Sequence, residues 1–388
     1  MAGIYIHIPF CKQKCAYCNF YSVENGGENV PVETHGRASL QSYVDALISE
    51  IILRQNEYTE PIETIYFGGG TPSLLNIRQV VQIFEALLCR DAMHCVSTGD
   101  MEITFEGNPE SLTKTYLDDL RKYTPINRLS IGVQSFFEDD LNYLNRKHTP
   151  QQALDAVKNA QKAGFERLSI DLIYGIPTLT NEKWLENLQT FFSLDVSHLS
   201  AYALTVEPNT ILDKQIRNHQ LQAPTDEQIE GHYLLLREEL KKHNFEAYET
   251  SNFCKNKHYA KHNSNYWNMS KYCGFGASAH SFLGVSRSWN IADVNSYITS
   301  VKNGILPSEV ELTTEKMRYN EYVMTAIRTQ WGISQEFIKT NFDEEFFLHF
   351  QKKINQLPSD WIMFQSDHII TTEKGALFSD AIAKKLFV

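Results

Sequence analysis

The chain has 388 residues, 42% of them hydrophobic, and a formal net charge of −11, which is enough for one large domain of barrel size plus a smaller one. Lys and Arg never gather in runs beyond two or three, so no basic footprint for a phosphate backbone exists and nucleic acid is excluded as an expected partner. No stretch of about 18 uncharged apolar residues occurs, and MAGIYIHIPFC carries no basic leader before an apolar run; the expectation is a cytoplasmic protein, neither secreted nor membrane-spanning.

The opening run GIYIHIPF reads as a strand, and directly after it CKQKCAYC sets Cys11, Cys15 and Cys18 at Cys-x3-Cys-x2-Cys spacing on a loop. Seven cysteines is an odd number, and three within eight residues suit metal ligation better than disulfides. Structural zinc needs four protein ligands, and these three have no nearby fourth. A [4Fe-4S] cubane held by three thiolates keeps one iron free. The amino and carboxylate groups of S-adenosylmethionine can chelate that iron, placing its sulfonium for one-electron reduction. Cys89, Cys95, Cys254 and Cys273 lack ligand spacing and receive no role.

After the cysteines, VENGGENVPVETHGRAS (23 to 39) is polar and without period, so a flexible loop is expected there. Five further strand-like runs follow in order: TIYFGGG, EITFEGN, RLSIGVQS, RLSIDLIYG and HLSAYALT. Amphipathic segments with a 3.6-residue period separate them, among them SYVDALISEIILRQ, QQALDAVKNAQKA and EKWLENLQTFF. Alternating strand and helix imply a parallel sheet with helices outside, and near-continuous apolar strands fit burial on both faces. A chemically capable group stands at or just past the C-terminal end of nearly every strand: Cys11, Gly69 with Gly70 and Thr71, Glu106, Gln134 and Asp171. Ligand sites on parallel barrels gather at that rim. The fold class expected is therefore α/β, a partial (β/α)6 TIM-like barrel over residues 1–225.

Residues 226–309 form a connecting region, with a helix over 225–244 and an irregular stretch, dense in aromatic, His and Asn residues, over 246–290. From about 310 a small module is predicted: helices, then the hairpin-like WIMFQSDHIITTEKG, then ALFSDAIAKKLF, a winged-helix-like order. DNA binding would need a basic recognition face, and SQEFIKTNFDEEFFLHF is acidic or neutral. Protein contact or lid duty is expected instead.

The stretch YIHIPFCKQKCAYCNFYS (5–22), together with YFGGGTPS, ITFEGNPESL, RLSIGVQSF, LNRKHT and SIDLIYGIPTLT, resembles the radical-SAM superfamily. Nearly the whole chain is similar, in the same order, to the branch containing the oxygen-independent coproporphyrinogen III oxidases and their relatives. The resemblance implies that Tyr5 and Tyr17 lie beside the cofactor. Gly69, Gly70 and Thr71 would line its methionyl end, where glycines let backbone groups come close to a ligand. Arg146 would pair with a carboxylate, and Glu106, Gln134 and Asp171 would serve the polar edge, including ribose hydroxyls.

Within this branch, oxidases and haem chaperones compete as readings. The oxidases carry a fourth cysteine where this chain has Phe20, and an N-terminal extension where only ten residues precede Cys11. HNSNYW (262–267) is similar to the His-Asn-x-x-Tyr-Trp motif of the branch's haem chaperones. That similarity implies His262 as the iron ligand, flat faces from Tyr266 and Trp267, and Asn263 holding the imidazole ring. His258 and His280 are rival ligands nearby in sequence. The expectation is thus a haem chaperone with a cluster, S-adenosylmethionine and haem. It would pass haem to acceptor haemoproteins, membrane-bound respiratory proteins among them. Oxidative decarboxylation of coproporphyrinogen III to protoporphyrinogen IX is the alternative.

Overall fold

The computed structural model describes residues 2–24, 39–57, 60–88 and 101–388. Most of the loop expected over 23–39 lies outside the described residues, as do Cys89 and Cys95. The six apolar runs are the strands β1 (Ala2–Ile8), β2 (Ile62–Gly69), β3 (Glu102–Gly107), β4 (Arg128–Gln134), β5 (Arg167–Tyr174) and β6 (His198–Ala203). They lie parallel in chain order, with Ile4 opposite Ile65, Phe67 opposite Phe105, and Ile131 and Leu199 flanking Ile170.

Helices Leu40–Leu53, Ile77–Leu88, Lys114–Tyr123, Pro150–Lys162 and Asn181–Ser193 connect them. Ser39, Thr113, Thr149 and Thr180 each start a helix by accepting a hydrogen bond from the backbone N–H three residues on. Each such cap is worth about 1 kcal/mol.

Successive side chains on a strand point to opposite faces, and here the two files differ in chemistry. Ile4, Ile6, Ile65, Phe67, Ile103, Phe105, Leu129, Ile131, Leu168, Ile170 and Leu199 belong to one apolar core with the helices. The other file carries Tyr5 and His7, Thr64 and Tyr66, Glu102 and Glu106, Arg128 and Ser130, Asp171, and His198 and Ser200. These residues bond to one another across the interior: Tyr66 to Glu106, Arg128 to Ser169 and Ser130 to Asp171. The strands are buried on both faces, as expected, but the inner face is polar rather than continuously apolar.

The stretch 246–290, expected to be irregular, contributes a seventh parallel strand, Lys271–Phe275, on the free side of β1. Short antiparallel strands extend the sheet at both edges, from Ser308–Leu312 at one end to Glu246–Ala247 at the other. The edges do not pair, so the barrel is open. The same stretch supplies the helix Lys261–Trp267, which packs against β2 and β3. His262 on this helix reaches Thr64 near the start of β2 and abuts Gly3 near the start of β1. The helix therefore plugs the N-terminal end of the barrel interior.

A second core gathers Tyr319, Val323, Ile338, Phe350, Ile369, Ile382 and Leu386. Around it run a helix (Glu315–Ala326), a short strand (Ile333–Ser334), two helices (Gln335–Asn341, Glu344–Ile354) and the hairpin Ile362–Gln365 with His368–Thr371. That order is the winged-helix order. The unit meets the barrel where Trp331 packs edge-on against Tyr259 at 5.6 Å, and where Gln330 N–H donates to the Tyr248 carbonyl at 3.0 Å. Among the described residues no helix is long and apolar enough to cross a membrane.

Candidate cofactor cavities

The cysteine loop follows β1 and is fixed from two sides. Ala16 is buried; its N–H donates to the Leu144 carbonyl at 3.0 Å, and its own carbonyl accepts from Leu212 N–H at 2.8 Å. Asn145, in left-handed backbone conformation (φ 56°), donates from its amide to the Lys14 carbonyl at 2.9 Å. Held this way, Cys11, Cys15 and Cys18 are free thiols, each partly exposed, on one wall of a cavity of about 630 Å³ at the C-terminal end of the strands. Thr71 Oγ1 lies 3.5 Å from Cys11 Sγ and Arg146 Nη1 3.3 Å from Cys15 Sγ. Burial pushes the Cys18 thiol up to about 11 and raises that of Cys11. Thiols in such a setting become thiolates when a metal supplies the compensating charge. Among the described residues no three of His, Cys, Asp and Glu converge on a point that would enclose a single metal ion. The three cysteines line one shared space, with room beside them for a cluster.

Opposite the thiols are the strand ends. Glu106 sits half-buried in the wall, and its carboxyl accepts from Tyr66 Oη at 2.6 Å. Burial raises it to about 7, with the neighbouring Asp171 adding repulsion against the help of that hydroxyl. Asp171 accepts from Ser130 Oγ at 3.1 Å, and burial raises it to about 6. Two carboxyls held near neutrality beside three thiols form a pocket that gains by taking up a cation. Gln134 reaches the same cavity because β4 has a register irregularity at Gly132 and Gln134 and the latter's φ is 67°; such a bulge re-aims a strand-end side chain.

Of the sequence-predicted residues, Tyr17, Gly69, Gly70, Thr71, Glu106, Gln134, Arg146 and Asp171 all line this cavity with the cysteines. Three details of the geometry stand beside those expectations. Tyr5 does not line it: its hydroxyl is 3.0 Å from His7 Nδ1, and it faces a second cavity. Arg146 pairs with no protein carboxylate among the described residues; its guanidinium joins Cys15 Sγ to Asn108 Oδ1 at 2.9 Å and the Gly132 carbonyl at 2.6 Å. The glycines answer to close chain approach within the protein. A Cβ at Gly69 (φ 108°) would fall 2.6 Å from the His7 ring, and one at Gly70 2.7 Å from the Phe10 carbonyl oxygen. Sequence reasoning missed Asn108, whose amide donates to Thr71 Oγ1 at 3.2 Å, and Tyr66. Their signals were an Asn directly after Glu106-Gly107 and an inward position two residues before Gly68.

The second cavity, about 860 Å³, adjoins the first; Phe20, Tyr66, Gly69, Glu106, Tyr202 and Asn263 line both. Its walls are aromatic, with Tyr5, Tyr266, Trp267 and Tyr272, and the C-terminal unit contributes Arg328. The helix carrying HNSNYW thus presents Asn263, Tyr266 and Trp267 to the cavity, but His262 does not line it. The His262 imidazole is buried, with Nδ1 2.8 Å from Thr64 Oγ1 and Nε2 2.9 Å from Tyr266 Oη, and it stacks on Tyr66 at 5.0 Å. Burial lowers its pKa to about 3. Thr64 and Tyr266, not Asn263, hold the ring. Cys254 and Cys273 are buried free thiols in strands of the sheet.

The model of the Radical SAM superfamily matches residues 5–191. A haem chaperone HemW of Mycobacterium tuberculosis (strain ATCC 25618 / H37Rv) is 31% identical over 389 residues, spanning 99% of this chain and 94% of that protein. HemW of Bacillus subtilis (strain 168) is 30% identical over 388 residues, 98% of each. Among solved structures, the Escherichia coli coproporphyrinogen III oxidase HemN, a radical-SAM enzyme, superposes with a TM-score of 0.82 over 99% of this chain and 89% of that one. At 22% identity that likeness speaks for the fold.

Proposed function

The chain belongs to the HemW family of the radical-SAM superfamily, and from that premise we propose that it is a haem chaperone that carries a [4Fe-4S] cluster and S-adenosylmethionine and hands haem to acceptor haemoproteins. Cys11, Cys15 and Cys18 hold three irons of the cluster. Glu106 and Asp171, which line the same cavity, would offer negative charge to the cationic end of S-adenosylmethionine, and a bound cation would favour the ionised form of Glu106. When bound, cluster and cofactor together supply a one-electron reductant and a source of a carbon radical. Arg146 steadies the Cys15 thiolate, and Tyr17 closes the wall beside it. The protein works in the cytoplasm and visits a membrane-bound acceptor peripherally.

The choice of haem over porphyrinogen chemistry is supported by the 30–31% identity to haem chaperones over nearly the whole chain, and the cofactor cavity opens, past Tyr66 and Phe20, into a larger aromatic cavity with room for a macrocycle. Phe20 stands where the oxidases have a cysteine and is 69% exposed at the junction of the two. The test runs on one anaerobically reconstituted preparation given reductant and S-adenosylmethionine. Haem binding and transfer to an apo-haemoprotein, without protoporphyrinogen IX formation, is the expected result. Turnover of coproporphyrinogen III with no haem transfer would overturn the proposal in favour of the oxidase.

A further inference from the structure

Haem iron needs a ring nitrogen with a free lone pair on the wall of a space that admits the macrocycle. Four histidines lie near enough to be considered, and three fail on geometry. His262 has both nitrogens engaged and no surface on the second cavity. His7 lines that cavity but is 4% exposed, with Nδ1 on Tyr5 Oη and Nε2 3.1 Å from the Tyr21 carbonyl. His258 has Nδ1 3.2 Å from Ser197 Oγ and lines neither cavity.

His280 meets both requirements. It lines the second cavity, is exposed, and neither ring nitrogen is hydrogen-bonded within the described residues. Its backbone is rigidly placed at the start of the strand His280–Phe282. A Cβ on Gly274 would lie 2.0 Å from the His280 carbonyl oxygen, so only glycine lets the two segments come this close. The ring leans on Trp289, with centroids 6.1 Å apart, which limits its rotation. Partial burial, and Arg287 after it, lower the pKa of the imidazole, favouring the neutral form that binds iron. Around it stand the flat faces of Tyr266, Trp267 and Tyr272.

Building on the haem reading above, we infer that His280 is the axial ligand of haem in the second cavity, and that His262 is a positioning residue that fixes Tyr266 from behind. The motif HNSNYW then builds the wall of the site, and the iron bond comes from a strand thirteen residues beyond it.

The test titrates ferric haem into the full-length, cluster-loaded wild type and its His280→Ala and His262→Ala variants, reading dissociation constant and Soret spectrum. His280→Ala should lose the imidazole-ligated spectrum and weaken binding by about tenfold or more, at least what losing an outer-shell partner costs a metal site. Free imidazole should restore the band. His262→Ala should weaken binding but keep the wild-type band. Wild-type affinity and spectrum in His280→Ala, or loss of the imidazole band in His262→Ala alone, would overturn the inference while the chaperone reading stands. A wild type that binds no haem would overturn that reading and this inference with it.

Discussion

The two cavities share a wall but are assembled in opposite ways. The thiol-lined one takes its residues from the ends of consecutive parallel strands and the loop after the first. Strand register fixes where each stands, so neighbours in the site follow one another along the sequence at regular intervals. The aromatic cavity draws on the cysteine loop, the inner file of β1 and β2, a plug helix, an antiparallel strand and the helix end of the C-terminal unit. Its parts are held by packing between layers. The first should therefore fail all at once when a ligand is lost, and the second by degrees.

The largest effect belongs to the thiols. Replacing Cys11, Cys15 and Cys18 together by Ser should abolish the four-iron absorption and the bound iron outright while the thermal unfolding transition of the apo-protein stays close to wild type. Among its described residues the loop contributes only Ala16 to the buried core, apart from Phe10 at its edge. Retention of a four-iron spectrum in that variant would break the assignment of the site.

Next come the carboxyls. Because burial holds Glu106 at about 7, above the ordinary carboxyl value of 4.5, the folded apo-protein keeps its proton while the unfolded chain loses it. That contribution to stability is complete below about pH 4.5 and disappears as pH rises through about 7, a span worth about 1–3 kcal/mol. Glu106→Gln removes the titration. The variant should gain on wild-type melting temperature as pH climbs from 4.5 to 7, then hold the difference. S-adenosylmethionine should reverse the order, since the wild type can ionise against its positive charge. Parallel melting curves across that range would show the carboxyl to be ordinary.

Gly69 tests the wall between the cavities. With φ at 108° and the His7 ring in the path of a Cβ, Gly69→Ala is strained in backbone and in space. A loss of about 2 kcal/mol in chemical denaturation is expected, with weakened binding of both cofactor and haem. Loss of one ligand with the other untouched would mean that the two sites are less joined than their shared residues imply.

The same contrast explains what could be read beforehand. Cys11 and Glu106 were legible because each stands at or just past a strand end, where chain order and spatial order coincide, and Asp171, an interior residue of Arg167–Tyr174, reaches the same cavity from three residues before its strand's end. The polar inner file was harder to see: in RLSIDLIY the alternation of Ser169 and Asp171 with Leu168 and Ile170 is short, and surrounding apolar residues mask it. The strand Lys271–Phe275 gave no signal because five residues with a Gly inside carry too little period to separate from a loop. His262 misled for a related reason. A helix of seven residues places His262 and Asn263 on different faces, and no count of residues along HNSNYW says which face turns to the cavity.

The smallest effect tests whether the C-terminal unit belongs to the aromatic cavity. Arg328 is the one Arg or Lys among the described residues lining it, and it lies just past the helix Glu315–Ala326. Its guanidinium donates to the Met324 carbonyl at 2.6 Å and pairs with Asp380, an exposed carboxylate that can release it cheaply. A haem propionate is a carboxylate of the same charge, so exchange of partners costs little and gains little. Arg328→Gln should weaken haem binding about twofold to fivefold, the scale of a solvent-accessible ion pair, and the loss should shrink at high salt. The iron spectrum should not change. Haem dimethyl ester, which lacks the charge, should bind wild type and variant alike. An equal loss with the ester would move the role of Arg328 from charge to packing between the two units.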